Sequence, residues 1–318
     1  MNVFGRTHSG RAEPLWKRLR LGILILVVLL LALSGCSLFT TNAAPLSGKI
    51  HISGSTALLP LAQRAAQDFT RAHPKVTFDV EGGGSFTGLD QMFSGKVDIG
   101  DSDVYADPTR YPDPSITDHL VAVVPFAMVV NPDITLASLT QAQIVSIYTG
   151  QIKNWQGVGG PNEAIKIIAR PLTSGTRATF RKYILNGADE APGAVALQKD
   201  SSQALVDAVS KTPGSIGYLA VSAVIPQVRV IAIDGLLPTP ENIEGGRYSF
   251  WSYEHMYTRG LPQGAVAAFL DFLLTGPEQE VARALGYIPI NALHTSLVPP
   301  PGSGAQALLS DDQRKQVS

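Results

Sequence analysis

Short apolar runs alternate with longer amphipathic stretches along most of the chain. The short runs are rich in Val and Ile, which is typical of buried strands, and they lie at residues 49–53, 76–81, 97–100, 120–124, 127–130, 165–168, 216–219 and 228–233. Helix-like apolar spacing or helix end signals lie at residues 58–72, 88–93, 139–149, 177–185, 202–210, 264–274 and 277–285. Strands that alternate with helices predict an α/β fold.

The N-terminus carries a different pattern. Basic residues precede an apolar run over residues 21–33, which is too short for a typical membrane-spanning helix and is characteristic of a signal peptide. The run ends in L-S-G-C, which resembles the bacterial lipoprotein signal and implies that residues 1–35 are removed and that Cys36 carries the lipid. An uncleaved anchor is the alternative. Either arrangement tethers the folded part to the outer face of a membrane.

Composition and charge narrow the function classes. A chain of 318 residues with 45% hydrophobic and 16% charged residues is long enough to fold into two domains. The formal net charge is −1 and no basic stripe follows the N-terminus, so a nucleic-acid surface is not indicated. Cys36 is the only cysteine, which removes disulfides and cysteine-ligated metal sites from consideration.

Three predicted strand-to-helix turns carry hydroxyl side chains. They read G-S-T-A at 54–57, G-G-G-S at 82–85 and S-G-T at 174–176, and Arg170 and Arg177 flank the third. The first N–H groups of a helix lack partners and carry the positive end of its dipole, so such turns bind anions. Each turn alone is equally typical of a helix cap or a tight turn. Three of them in one α/β chain predict an anion site at one edge of the sheet.

A fourth motif, V-D-I-G-D-S-D at 97–103, places Asp101 and Asp103 just after a predicted strand. A calcium loop of the EF-hand type would need further acidic residues that do not follow. A solvated turn is the other alternative.

In this order the motifs resemble those of the phosphate-binding lipoproteins that serve high-affinity phosphate ABC importers. The resemblance covers about residues 49–290 and also includes R-P-L-T-S-G-T-R at 170–177, G-S-I-G-Y at 214–218 and Y-T-G-Q-I-K-N-W at 148–155. It implies an α/β periplasmic-binding-protein fold of type II, in which two domains, each a mixed sheet flanked by helices, are joined by a two-stranded hinge.

The resemblance also implies the domain boundaries and the ligand set. We expect a signal peptide at 1–35, a linker at 36–48, one domain at 49–125 with 250–291, a second at 126–249 and a tail at 292–318. The family's ligand positions fall on Thr56, the backbone of Ala57, Ser85, Asp103, Arg170, Ser174, Gly175 and Thr176, with Ser55 and Arg177 as neighbours. Some members place an acid two residues after the binding arginine, where this chain has Leu172, so we expect Arg170 to be held differently.

An aspartate in an anion site needs a ligand proton to accept. Orthophosphate still carries one near neutral pH, since its second pKa lies at roughly 6 to 7, whereas sulfate carries none. Asp103 is therefore expected to discriminate against sulfate, although the sequence leaves open whether Asp101 takes this role. Closure of two domains on the ligand would give a permease a state to recognise.

The resulting expectation is a monomeric binding protein without cofactor or metal, with inorganic phosphate and an ABC permease as partners and a lipid anchor as its only membrane contact. A binding protein for another tetrahedral oxyanion, such as sulfate or molybdate, and a sensory or adhesive lipoprotein are alternatives. A phosphatase would need Ser85 or Ser174 as nucleophile, but neither lies in G-x-S-x-G and no acidic cluster suggests a two-metal centre.

Overall fold

A computed structural model describes residues 45–290 of the chain. The predicted signal peptide, Cys36, most of the linker and the predicted tail at 292–318 lie outside the described residues. From Leu46 onward the described residues belong to one compact unit. Within them, no helix combines the length and the apolar character needed to cross a membrane.

Eleven strands are present in residues 45–290. They are β1 (Gly48–Gly54), β2 (Val76–Gly82), β3 (Ile99–Ser102), β4 (Ile116–Val130), β5 (Ser138–Leu139), β6 (Lys166–Ala169), β7 (Val195–Gln198), β8 (Ser215–Ala220), β9 (Arg229–Ile233), β10 (Trp251–Arg259) and β11 (Ile288–Pro289).

Eight α-helices accompany these strands in the same residues. They are α1 (Leu59–Ala72), α2 (Ser85–Phe93), α3 (Gln141–Tyr148), α4 (Gly175–Tyr183), α5 (Ser202–Lys211), α6 (Pro240–Glu244), α7 (Gly264–Leu273) and α8 (Gly276–Ala284). The predicted α/β class is confirmed, and every predicted helix is found within a few residues of its expected bounds.

The strands form one mixed sheet in the order β2-β1-β3-β10-β4-β8-β6-β7. The first part of the sheet is parallel from β2 through β1 to β3, and β10 runs antiparallel between β3 and β4. The second part contains β8, β6 and β7, of which β8 is antiparallel to β4. The long strand β4 therefore belongs to both parts.

Pro125 lies within β4, so the prediction of two separate strands at 120–124 and 127–130 is wrong. β4 pairs with β10 up to Pro125 opposite Trp251, and it pairs with β8 from Phe126 onward. The Phe126 N–H donates to the Phe250 carbonyl at 3.0 Å. Proline cannot donate to a ladder, and it is tolerated here because it stands where the strand changes partner.

Other elements differ from the sequence prediction as well. The strand predicted at 97–100 is displaced to Ile99–Ser102, and the helix predicted at 88–93 begins at Ser85. Strands β5, β7, β10 and β11 and helix α6 were not predicted. β10 is the important omission, because it is central in the sheet and carries the buried polar residues Glu254 and His255.

The hydrophobic core fixes the helices whose N-termini point toward the ligand region. Leu61 and Phe69 bury one face of α1, in the same cluster as Ile50 and Ile52 of β1. Phe180 anchors α4, because its ring stacks on Tyr218 of β8 with centroids 4.0 Å apart. Aromatic pairs of this kind contribute about 0.5–1.5 kcal/mol beyond the burial of their area.

Candidate anion-binding site

The turn between β1 and α1 is held by the Ser55 side chain. Its Oγ accepts from the N–H groups of Ala57 and Leu58 at 3.0 and 3.1 Å, and the Ser55 N–H donates to the Asp101 carbonyl at 3.0 Å. A Cβ at Gly54 would lie 2.0 Å from that carbonyl oxygen, so only glycine fits there. This turn leaves the hydroxyl of Thr56 directed toward Arg170.

The second turn places Ser85 at the first residue of α2. Its Oγ donates to Asp103 Oδ1 at 2.7 Å and accepts from the Asp103 N–H at 3.0 Å. Gly84 before it has φ of 93°, and a Cβ there would lie 2.5 Å from the Thr173 carbonyl oxygen. The glycine run therefore allows α2 to approach the third turn closely.

The third turn precedes α4. Ser174 is the N-cap of the helix, and its Oγ accepts from the Arg177 N–H at 3.2 Å. Thr176 donates from Oγ1 to Asp103 Oδ2 at 2.8 Å. Gly175 lies so close to Ser85 that a Cβ at 175 would be 2.2 Å from Ser85 Oγ.

A backbone hydrogen bond joins the second and third turns. The Phe86 N–H donates to the Thr173 carbonyl at 3.1 Å, and we call this contact the main-chain bridge. Since Phe86 follows β2 and Thr173 follows β6, the bridge connects the first part of the sheet to the second part.

Asp103 is the centre of the hydrogen-bond network. It is buried, and its two carboxylate oxygens accept from Ser85 on one side and Thr176 on the other. Ser252 of β10 donates from Oγ to the Asp103 carbonyl. Two helices therefore fix the carboxylate, and β10 holds the backbone of the same residue.

Arg170 is the buried cation beside this network, with 1% exposure. Its Nε donates to the Lys199 carbonyl at 3.1 Å, and its Nη2 donates to the Asp200 carbonyl at 2.9 Å and to Thr56 Oγ1 at 2.8 Å. Leu172 is 74% exposed. Backbone carbonyls therefore orient the guanidinium in this chain. Burial lowers the pKa of Arg170, and the charge of Asp103 acts against that shift.

Arg177 is paired with an acid that was not singled out in the sequence. It forms a bidentate ion pair with Glu190, with Nε–Oε1 and Nη2–Oε2 distances of 3.1 and 2.7 Å. Burial raises the pKa of Glu190, but the hydrogen bonds and charge of Arg177, a backbone hydrogen bond and the Tyr218 hydroxyl together outweigh it, and the net shift is downward. The charge of Arg177 is thus balanced locally, which leaves Arg170 and Asp103 to set the charge of the network.

Two further buried carboxyl groups interact electrostatically with Asp103. Burial raises the pKa of Asp101 well above its ordinary value, and the neighbouring Asp103 adds to the rise. Burial likewise raises the pKa of Glu254, with Asp103 and Asp101 adding to it. Glu254 was missed in the sequence. The signal that could have found it is a glutamate inside the aromatic run F-W-S-Y-E-H-M-Y at 250–257.

The ten predicted ligand and neighbour positions all lie in or beside this network. Side-chain hydrogen bonds join Thr56 to Arg170, and join Ser85 and Thr176 to Asp103. The groups at Ser55, Ala57, Ser174, Gly175 and Arg177 instead build the turns around them. Together the network presents hydroxyls, a guanidinium and helix N-termini as donors, and one carboxylate as an acceptor. This donor and acceptor set suits a tetrahedral anion that still carries a proton.

Comparison with known sequences gives a consistent set of relatives. A family model described as a PBP superfamily domain matches residues 40–277. The phosphate-binding protein PstS of Bacillus subtilis is 42% identical over 247 residues, which cover 77% of this chain and 81% of that protein. PstS of Borreliella burgdorferi is 23% identical over 278 residues, covering 83% of this chain and 98% of that protein.

Comparison with solved structures agrees. A phosphate ABC transporter substrate-binding protein from Clostridium perfringens, solved with bound phosphate, is similar with a TM-score of 0.73 and 25% identity, over 76% of this chain and 100% of that one. An ABC-type phosphate transport receptor from Vibrio cholerae is similar with a TM-score of 0.62 and 26% identity, over 75% of this chain and 99% of that one.

Proposed function

The chain belongs to the PBP superfamily and, within it, to the family of the phosphate-binding PstS proteins, and from this premise we propose that it captures inorganic phosphate at the network centred on Asp103. The family consists of substrate-binding transport proteins and not of enzymes. Ligand delivery to an ABC importer, without turnover, is accordingly the activity assigned to the chain.

The observation that carries the proposal is the position of Asp103 between two hydroxyl donors. Ser85 and Thr176 approach its two oxygens from opposite parts of the sheet, at 2.7 and 2.8 Å. With phosphate present, Asp103 accepts the ligand proton. The Ser85 and Thr176 hydroxyls turn their single protons from Asp103 to the ligand, and Arg170 donates to its remaining oxygens. Hydrogen bonds that involve a charged partner contribute about 1.5–3 kcal/mol each, which is enough to hold a small anion.

The proposed domains are residues 49–125 with 250–291 and residues 126–249. The partner change of β4 at Pro125 and the bond from the Phe126 N–H to the Phe250 carbonyl support a hinge at this crossing. Thr56, Ser85 and Asp103 then face Arg170 and Thr176 across the cleft. Because the ligand contacts both sides, phosphate favours closure.

The proposed cellular setting is the outer face of the cell membrane. Cys36 carries the lipid after removal of residues 1–35, which the motif L-S-G-C supports, and the folded part acts as a monomer. The partner is the permease of a phosphate ABC importer, as the description of the Clostridium perfringens relative suggests.

Equilibrium titration of the mature chain with phosphate, sulfate and molybdate tests the function. We expect one phosphate per chain and an affinity for sulfate lower by about a hundredfold or more, since a carboxylate facing an unprotonated anion costs several kcal/mol. Equal or tighter binding of sulfate or molybdate would reject phosphate as the ligand. Hydrolysis of a phosphate ester by the purified chain would reject the binding-protein assignment.

A further inference from the structure

Glu254 shares one face of the sheet with the two aspartates of the anion site. In the ladder between β10 and β3, Met256 lies opposite Asp101 and His255 lies opposite Ser102. Residues opposite one another in an antiparallel pair project to the same face, and side chains alternate along each strand. Continuing this register brings Glu254 onto the face that carries Asp101 and Asp103.

The Glu254 carboxyl group is buried, and the Ser55 hydroxyl beside it compensates only in part. It is 0% exposed, and neither of its oxygens has a hydrogen-bond partner among residues 45–290. Asp101 Oδ1 lacks a partner in the same part of the chain. Asp103 differs, because both of its oxygens accept hydroxyl donors. A buried carboxylate without a partner is very unfavourable, so Glu254 is driven toward its neutral form.

The polar groups that face Glu254 come from three parts of the fold. Asp101 lies in β3 and Asp103 directly follows it, the Ser55 hydroxyl comes from the turn before α1, and the Tyr287 phenol comes from the segment before β11. On β4 its register partner is Ala122, which carries no charge. The shift is upward because burial and the two aspartates outweigh the Ser55 hydroxyl, so the pKa of Glu254 lies well above its ordinary value.

We propose that Glu254 is a further affinity-determining residue of the anion site, which admits phosphate while its carboxyl is neutral and repels phosphate once it ionises. This inference rests on the proposed function. An added negative charge in a poorly solvated interior acts strongly on a neighbouring anion. By reciprocity, bound phosphate favours the protonated form of Glu254.

The test is the phosphate affinity of Glu254→Gln and of the parent chain from about pH 5.5 to about pH 9. Glutamine keeps the shape but cannot ionise. The ratio of the two dissociation constants cancels the ionisation of phosphate itself. We expect the two dissociation constants to be about equal at the acid end of this range. At the alkaline end, the parent should have a dissociation constant higher than that of Glu254→Gln by roughly tenfold or more. A flat ratio overturns the inference.

Glu278→Gln is the matched control. Glu278 is also buried, and burial raises its pKa. Its charged neighbours are Asp68, Arg64 and Arg71, none of which belongs to the anion site. The ratio of the dissociation constants of the parent and of Glu278→Gln should not change with pH. A rise equal to that of Glu254→Gln would show a general effect of removing a buried acid and would overturn the assignment.

A measurement on the parent and on Asp101→Asn covers the case in which Glu254→Gln does not fold. Calorimetry at about pH 8.5 in two buffers of different ionisation enthalpy counts protons taken up with phosphate, and there free phosphate no longer titrates appreciably. Because the pKa of Asp101 is raised as well, proton uptake that persists in Asp101→Asn supports the inference, and its absence from the parent or from Asp101→Asn overturns it. A parent chain that binds no phosphate at any pH would instead reject the proposed function.

Discussion

Arg170 donates to the Thr56 hydroxyl at 2.8 Å, although the two residues are 114 positions apart. Thr56 lies at the mouth of α1, and Arg170 follows β6 in the second part of the sheet. Both side chains are buried. The donor set that we propose for the anion is therefore complete only when the two parts of the sheet are in contact.

Replacing Arg170 should weaken phosphate binding more than replacing Thr176. Arg170→Ala removes a charge-assisted hydrogen bond to the ligand, which contributes about 1.5–3 kcal/mol, and also the bond that holds the Thr56 hydroxyl, so it should cost about a hundredfold or more in affinity. Thr176→Ala should cost roughly tenfold. Calorimetric titration is the measurement, and Arg283→Ala is the control, because Arg283 pairs with Glu280 on the surface. Parent-like binding by Arg170→Ala would remove Arg170 from the ligand set.

Asp103→Asn should reduce selectivity more than affinity. The amide keeps the shape of the carboxylate, and its NH₂ group can donate to an anion that has no proton. Phosphate affinity should stay within about an order of magnitude, while sulfate should gain because several kcal/mol of repulsion are removed. A competition titration of phosphate against sulfate near neutral pH, at one ionic strength, measures both changes.

Asp101→Asn decides which aspartate is responsible in the same titration. The burial and missing partner of Asp101 Oδ1 favour its neutral form, so we expect selectivity to change little. If Asp101→Asn relaxes selectivity and Asp103→Asn does not, the roles are exchanged. If neither does, proton recognition is not the basis of the discrimination.

Gly175→Ala should impair binding with a smaller effect on folding. The new Cβ would lie 2.2 Å from Ser85 Oγ and 3.0 Å from Asp103 Cγ, so the two sides of the site must separate. Affinity should fall by about tenfold or more. Gly276→Ala is the control, since no atom lies within 4 Å of its added Cβ. Calorimetry and thermal unfolding on both variants separate the effects, and unchanged affinity in Gly175→Ala would contradict the close approach of α4 and α2.

Cys36→Ser should release the protein from the membrane without affecting phosphate binding, because lipidation needs the thiol and the site does not. Cys36 lies outside the described residues, so this prediction rests on the motif L-S-G-C alone. Membrane fractionation gives the location and a titration of the released or unprocessed chain gives the affinity. A cleaved Cys36→Ser chain that stays on the membrane would contradict the anchor.

The elements that carry the site were predictable because their signals are local. The β1, β2 and β6 runs have the apolar character of buried strands, and each ends in a turn with glycine or hydroxyl residues. The grouping of Thr56, Ser85 and Thr176 followed from the rule that strand ends gather ligands at one edge.

The parts that were missed depend on contacts between distant residues. Backbone carbonyls of Lys199 and Asp200 hold Arg170. Every residue has a backbone carbonyl, so the sequence does not show which ones bind the guanidinium. Pro125 suggests a break unless the partner change of β4 is known. Glutamate is usually found on the surface, and Glu254 is buried only because β10 is central in the sheet.

The main-chain bridge between Phe86 and Thr173 uses only an N–H and a carbonyl. Exchange of either side chain leaves both groups in place, apart from proline at position 86, which would remove the donor. Evolutionary divergence at Asp103 or Arg170 can therefore retune the preferred anion without deleting this contact. The side chains that select the ligand can therefore change in evolution while this contact across the cleft is kept.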